Sequence, residues 1–547
     1  MLRLRAQLQI NWPRACTPGV CPAAPNIGDV VTVSQDCMVG GVGFPDAVAG
    51  TLNHTAGTLT VAGNLAIDTG GATFDGPVVL LNGSIARAQS AGVFMTLNGG
   101  MNISGGSDKF LGGNTARLLG ALTLSSESTI TWTGAGNFIV GVAPGGSPST
   151  LYINSGTLFD QQTDASLLTT QQFGFGRVTN QGTIQKSAGN GTSTWNINLE
   201  NFGQFDVQSG NVTLTGLGQA TGEFRVAAGS ALTFGTIFGF EFKQGISFTG
   251  DGEAVLVDTG SNFGVLVNET VDLNRLRIAN SGEIGPASNP GHINITELLE
   301  VDGANVVPSV TINAGARLEQ NGPNASNFRD LTIEGDVDIL SGTLATVDHT
   351  ITVQPGGVVE IRDNAALRTA GLVALPIQNN GTIQKTTGAG TASVLADFFR
   401  QFFNNAGGLV HVATGTLDFA DSNIVCNGGT FQIDAGTTMK APGSFGGNFE
   451  LNAGAVRGGG SLLVHRLNNN GGTVAPGASA GVLSLIGDAG SGRPGDYLQG
   501  ADGTLEIEVG GLTAGTQHDQ LAVAGTATLG GRIEAHFDKR LRSGARR

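Results

Sequence analysis

The sequence predicts an all-β fold: a solenoid whose short parallel strands wind into stacked coils and form a single elongated rod. Three observations predict it. Glycine supplies 88 of the 547 residues, against a usual share of about 7%. Apolar and polar residues alternate in short runs broken by Gly, Asn and Asp, which is the period-2 signature of strands. A long segment is also repeated, and internal repetition of strand-and-turn units reads as a solenoid.

The composition excludes several alternatives. Charged residues are 13% and hydrophobic residues 40%, enough apolar material for a large core, so wholesale disorder is excluded. One glycine in six is incompatible with a helical bundle or coiled coil. No three-residue glycine period marks collagen. No apolar run reaches 18 residues, so no helix is long enough to span a membrane.

The strand texture starts near residue 57. In GTLTVAGNLAI, Leu59 and Val61 point one way and Thr58 and Thr60 the other, and Leu65 and Ile67 resume the pattern after a turn. It recurs at 151–158, 211–216, 310–318, 331–340 and 451–456. One stretch, ADFFRQFF at 396–403, reads equally as one turn of helix or a bulged strand. The repeat is clearest in NQGTIQKSAGNGT at 180–192 and NNGTIQKTTGAGT at 379–391, which agree at nine of thirteen positions.

In such a solenoid Val, Leu, Ile and Phe stack inside, while Thr, Asn, Gln and Ser face outward and Gly and Asn take the positive-φ corners. Phe238, Phe240 and Phe242 share one strand face and read as a core stack, with a sugar-gripping aromatic strip as the alternative. Lys186 and Lys385, two residues after Ile184 and Ile383, would point inward by period 2. Burying a charge is costly, so a bend before each lysine is expected to place its ammonium in water, with a paired basic site as the functional alternative.

Four regions follow: an N-terminal cysteine-containing entry or cap segment at 1–40, the solenoid with its duplicated module at 41–467, a capping β-rich segment at 468–538, and a basic, disordered tail at 539–547. A final coil exposes its core and strand edges, and so needs a cap. The strands around 505–509 and 521–525 are expected to supply it, with Glu506 and Glu508 facing water. A rod of roughly 22 residues per coil would have about 23 coils and a length on the order of 110 Å. Small-angle scattering of the monomer should give a radius of gyration well above the compact-globule value for this length; a value near it would exclude the rod.

The net charge is −15. The first 14 and last nine residues carry eight of the 28 basic residues and none of the 43 acids, so the body between them is strongly acidic. Such a body repels phosphate backbones, which argues against a nucleic-acid partner. Cys16, Cys21 and Cys37 cluster near the N-terminus, and Cys426 stands apart. No histidine is close in sequence to complete a zinc site; an exported chain would allow a disulfide within the trio, with its pairing open. No apolar core of a secretory signal is visible at the start, so either the true start lies upstream or the chain is a piece of a larger product.

The stretch NNNGGTVAPGASAGVLSLIGD at 468–488 leads to GTLEIEVGG at 503–511 and DQLAVAGTATLGG at 519–531. This resembles the segment found in bacterial autotransporter passengers and related large surface-adhesin β-helix proteins. The NxGTIxK units and the opening at 11–33 are similar in texture. The resemblance implies a right-handed parallel β-helix at, or shed from, a bacterial cell surface. The final segment departs from that pattern: HFDKRLRSGARR has no alternating strands with aromatic girdles, so it is not expected to belong to a membrane barrel and reads as a truncation or an altered reading frame.

Residues 477–481, GASAG, match a nucleophile elbow by letter, but Pro476 precedes them and a strand-like run follows where a helix is needed; they read as a turn. Residues 490–495 match G-x-G-x-x-G without the strand–helix setting that gives it meaning. Polysaccharide lyases and hydrolases also use parallel β-helices and are the enzymatic alternative. They need paired carboxylates on adjacent coils, or a carboxylate–calcium site with a basic residue. Asp348-His349 and Gly291-His292 are incomplete matches to such motifs, and Glu506 and Glu508 read as a solvated strand face. No catalytic, cofactor-binding or metal-binding residue is predicted.

The expected function is therefore that of a non-enzymatic extracellular adhesin or structural surface protein. It would act by multivalent lateral contacts, with glycans or cell-surface components as partners and no nucleic acid. Clustering of acids and bases into one groove would favour the enzyme; an even scatter would favour the adhesin or a passive stalk.

Overall fold

The computed structural model describes residues 150–169, 176–235, 239–257, 264–279, 282–285, 290–371, 375–396, 401–420, 422–441, 449–477, 479–487 and 494–537 without breaks, and before residue 150 mainly strands and a few turns. The described residues are all β, with no helix, and their named strands pair in parallel. They form a β-solenoid, as the sequence predicts. Two compact units, residues 1–271 and 272–547, are resolved within it.

One coil in the first unit shows how the sequence builds the stack. Strands Arg177–Asn180, Thr183–Lys186 and Thr192–Asn196 form its three sides. Each pairs residue for residue with the next coil, through Asn198–Asn201, Gln204–Val207 and Asn211–Leu214. In the second unit the other copy of the repeated segment folds the same way, as Ile377–Asn379, Thr382–Lys385 and Thr391–Ala396. Alternation is strict on the TIQK strands: Ile184 and Ile383 are buried and Gln185 and Gln384 are not.

The core of the first unit is an aromatic column. Trp132, Phe159, Trp195, Phe205 and Phe224 follow one another with ring centroids 5.1–6.4 Å apart. Phe240 and Phe242 are both fully buried beside Phe234, so they belong to the core stack rather than to an exposed strip; Phe238 lies outside the described residues. The second unit is more aliphatic, with local aromatic pairs such as Phe402–Phe419 and Phe431–Phe449, each 4.8 Å apart. Of the 396–403 stretch, Ala396 ends one strand and Gln401–Asn405 is the next; 397–400 lie outside the described residues.

Two expectations are corrected. Asparagine does not simply face outward: Asn180, Asn201, Asn379, Asn404 and Asn469 are fully buried. They sit at coil corners, where the side-chain amide bonds to the next coil. Asn180 Nδ2 donates to Asn201 Oδ1 at 2.7 Å and to Gln204 O at 2.9 Å. Asn379 Nδ2 repeats this with Asn404 Oδ1 at 2.9 Å and Leu409 O at 3.1 Å. An amide that satisfies a buried carbonyl and stacks on its own kind is cheaper inside than an unpaired backbone group. The second correction concerns the lysines. Neither strand bends or bulges before its lysine, the ladders are regular, and both side chains are buried.

The ends continue the stack. Gln9–Trp12 pairs with Val30–Val33, which pairs with Thr51–His54, so strands within 1–40 already belong to a ladder. Cys16, Cys21 and the tail 539–547 lie outside the described residues. In the C-terminal segment Tyr497 and Leu505 are still buried. The later strands Gln520–Val523 and Arg532–Phe537 are not, and Ile533 and Phe537 are more than half exposed. Glu508 faces solvent, and Glu506 meets His536 at 2.9 Å.

Candidate functional site

The motifs around Ser479 and Asp348 lie in structural turns, and His292 opens the strand His292–Val301. Pro476 closes the strand Thr473–Pro476, Gly477 has φ +88°, and the strand Val482–Ile486 follows. Asp519 ties this turn down: its Oδ1 accepts from Gly481 N at 2.8 Å and its Oδ2 from Glu508 N at 2.7 Å. Ser479 and His536 both line a cavity of about 390 Å³ at this end, but His536 is paired with Glu506 and no helix follows the serine. The G-x-G-x-x-G residues 490–493 lie outside the described residues. Asp348 sits at φ 58° in a turn where His349 Nδ1 approaches Asp330 at 3.3 Å and Thr346 Oγ1 donates to His349 O at 2.8 Å. His292 Nε2 meets Thr311 Oγ1 at 3.0 Å.

The two repeated lysines each close a loop. Lys186 Nζ donates to Asp164 Oδ1 at 2.8 Å and to the carbonyls of Ala188, Gly189 and Ser209 at 2.9–3.1 Å. Lys385 Nζ donates to Asp363 Oδ1 and to the carbonyls of Thr387 at 2.7 Å and Gly388 at 3.1 Å. The loop folds back over its own lysine, and Gly189 and Gly388 permit this. Both have positive φ, and a Cβ would lie 2.3 Å from Asp164 Oδ1 or 2.2 Å from Asp363 Oδ2. The hydrogen bond from each lysine holds the carboxyls of Asp164 and Asp363 below the usual carboxylate range. Each ammonium is thus spent on its own loop and on the neighbouring coils, so the pair is a repeated structural clamp rather than a paired basic site.

Charge gathers instead on one outer face of the second unit. Parallel register stacks Glu319, Asp338, Glu360, Gln384 and His411 in one outward column, one residue per coil. Beside it Arg317 bridges two coils, reaching Glu319 Oε1 at 2.9 Å and also pairing with Asp338. Of these, Arg317, Asp338, Glu360 and Gln384 line a groove of about 330 Å³ together with Asp336, Arg362 and Thr387. Glu360 forms part of its floor and is only 8% exposed. Its Oε1 accepts from Thr386 N at 2.9 Å and Thr386 Oγ1 at 3.0 Å, while its Oε2 is buried with no hydrogen-bond partner. Further along the column, His411 Nε2 and Gln432 Nε2 both contact Asp434, at 3.0 and 3.1 Å. Burial pushes the Asp434 carboxyl up, and these two contacts more than offset it, leaving it below the usual range.

The first unit carries a related arrangement. Asp160, Gln185, Asp206 and Arg225 form the corresponding column. Asp160 Oδ1 accepts from Ser187 Oγ at 2.5 Å as Glu360 does from Thr386, and buried Asp206 likewise has one unpartnered oxygen. Sequence reasoning missed these columns because members of one column are about 20 residues apart and meet only through the register of the coils. No cluster of three or more His, Cys, Asp or Glu residues able to hold a metal ion occurs among the described residues. Cys426 is a buried free thiol, with its pKa raised by burial, and donates to Gly429 O at 3.3 Å. No protein-family model matches the chain, and no curated protein matches it.

Proposed function

We propose that the protein is a non-enzymatic surface β-solenoid, an adhesin or structural component that works by many weak lateral contacts. Its place would be outside the cell or on a bacterial surface, as the autotransporter-like stretch at 468–531 suggests. The observation that carries this reading is the outward polar ladder, repeated from coil to coil. Gln208 Nε2 donates to Gln185 Oε1, Asn405 Nδ2 to Asn380 Oδ1, and Asn470 Nδ2 to Asn452 Oδ1, each across one coil step. Such ladders offer rows of hydrogen-bonding groups at fixed spacing, each contact weak, with avidity from repetition.

The charged groove of the second unit supports a second reading, a β-helix carbohydrate-active enzyme, because Asp338 and Glu360 lie on adjacent coils. Against it, Asp338 is paired with Arg317 and one Glu360 oxygen is occupied by Thr386, whereas hydrolysis asks for two carboxyls free to act on one bond. One experiment separates the readings. Beads coated with the full chain are expected to adhere to glycan-coated surfaces without releasing reducing ends or unsaturated sugars. Release of such products would favour the enzyme, and absence of adhesion to any surface would favour a passive stalk.

A further inference from the structure

We propose that the strand Arg532–Phe537 is a self-docking edge: it pairs antiparallel with the same strand of a second copy, about a two-fold axis at Ala535, and joins two molecules through this end of the coil stack. The proposal goes beyond the adhesin reading and does not depend on it.

The last described coil is open. Among the described residues, this strand pairs with Thr504–Val509 on one side and with no strand on the other. Register carries the row Leu505, Ile507 and Val509 onto Ile533, Ala535 and Phe537. Leu505 is buried, whereas Ile533 and Phe537 are 56% and 51% exposed. A free edge that shows its core row is a template for another strand. The ladder also fixes where its polar groups point. Arg532 N donates to Gly503 O at 3.0 Å, so residues 532, 534 and 536 bond to the preceding coil. By strand alternation, the N–H and C=O groups of 533, 535 and 537 point to the free edge.

The sequence RIEAHF selects a second copy as the occupant. Turned about Ala535, the strand is complementary to itself: Ile533 faces Phe537, Ala535 faces Ala535, and Glu534 faces His536. In that register 533, 535 and 537 form the hydrogen-bonded pairs and use the groups aimed at the edge. Glu534 and His536 form the other pairs, in which side chains come closest. Pairing about Glu534 instead would set Glu534 against Glu534 and Arg532 against His536, which like charges oppose. A slip of one residue between the strands would put the apolar row of one copy opposite the polar row of the other. Glu534 and His536 keep room for the added partner. Their side chains are 39% and 54% exposed, although each already meets a group of its own molecule, Arg532 and Glu506. Such a contact is isologous and closes at two copies. One strand pair is a small interface, so the dimer is weak.

Sedimentation velocity of the full chain should show monomer giving way to dimer, with no larger species, by about 100 µM, a range suited to a weak interface. Ala535→Pro removes an N–H aimed at the free edge and spares the ladder to Thr504–Val509. It should abolish the dimer and leave the circular dichroism spectrum unchanged. Glu534→Lys tests the same contact without altering the backbone, and should raise the dissociation constant roughly tenfold through two like-charged cross-strand pairs. Oxidised Ala535→Cys should give a dimer linked between the two 535 positions, found by peptide mapping, because paired Cα atoms lie about 5.5 Å apart. Ile533→Cys, which faces Phe537 rather than its own copy, should give no such link. A monomer at every concentration, an open series of larger species, a dimer unaffected by Ala535→Pro and Glu534→Lys, or a link at 533 in place of 535 would each overturn the proposal. So would a chain that dimerises only after residues 539–547 are deleted, which would make its own tail the occupant of the edge.

Discussion

Replacing Phe224 with alanine is expected to cost about 4 kcal/mol of local stability, the middle of the range for an aromatic truncation in a tight core. Phe224 is fully buried where several rings converge. Phe205, Phe234, Phe240 and Phe248 have centroids 5.8, 5.4, 6.3 and 5.6 Å from its own. The void cannot collapse easily, because the strand Glu223–Val226 is held by parallel ladders to Gln204–Val207 on one side and Ser247–Thr249 on the other. Coil spacing is therefore fixed by backbone hydrogen bonds, and the lost ring contacts are not regained by movement.

A repeat protein need not unfold in one step, so a single melting temperature is a poor measure of this loss. Hydrogen exchange is the suitable one. Amides in those three strands should exchange about a thousandfold faster, the equivalent of 4 kcal/mol, while the Thr382–Lys385 strand in the second unit keeps its protection. Unchanged protection around residue 224 would show that the aromatic column does not hold these coils together.

Much of this fold was legible because its two rules are local. Period-2 alternation placed Leu59, Ile184, Phe240 and Phe242 correctly, and the repeated NxGTIxK segment does build equivalent coils. The failures share one cause: the fate of a polar side chain depends on partners a coil away. Asn180 reads as a surface residue until Asn201 stands beneath it, 21 residues on. The groove over Glu360 depends on register across coils whose turns differ in length, so no motif announced it. For the lysines the simple alternation was right and the energetic objection to it was not, because the objection assumed a burial site without acceptors.

That point carries the other large prediction. Lys385→Met keeps much of the side-chain volume and removes the ammonium, so the carbonyls of Thr387 and Gly388 lose their donor. The loop that folds over the lysine then has buried acceptors without partners, and its closed form should weaken by about 3 kcal/mol. Exchange of the amides in 382–391 should accelerate accordingly, and Lys186→Met should do the same to 183–192 in the first unit. Acid should loosen the same loops in the parent chain. The hydrogen bond from Lys385 lowers the Asp363 carboxyl from its ordinary 3.8. A group depressed on folding contributes stability that is present above its ordinary value and is lost as pH falls through the lowered one. Protection of 382–391 should therefore hold at neutral pH and decline below about pH 4. In Lys385→Met the largest cause of the depression is gone and only the hydrogen bond from Gly390 N still lowers it, so the Asp363 carboxyl, followed by carbon-detected NMR, should titrate higher than in the parent. Unaltered protection in Lys385→Met, together with an unmoved Asp363 titration, would mean that the buried lysine does not clamp the loop.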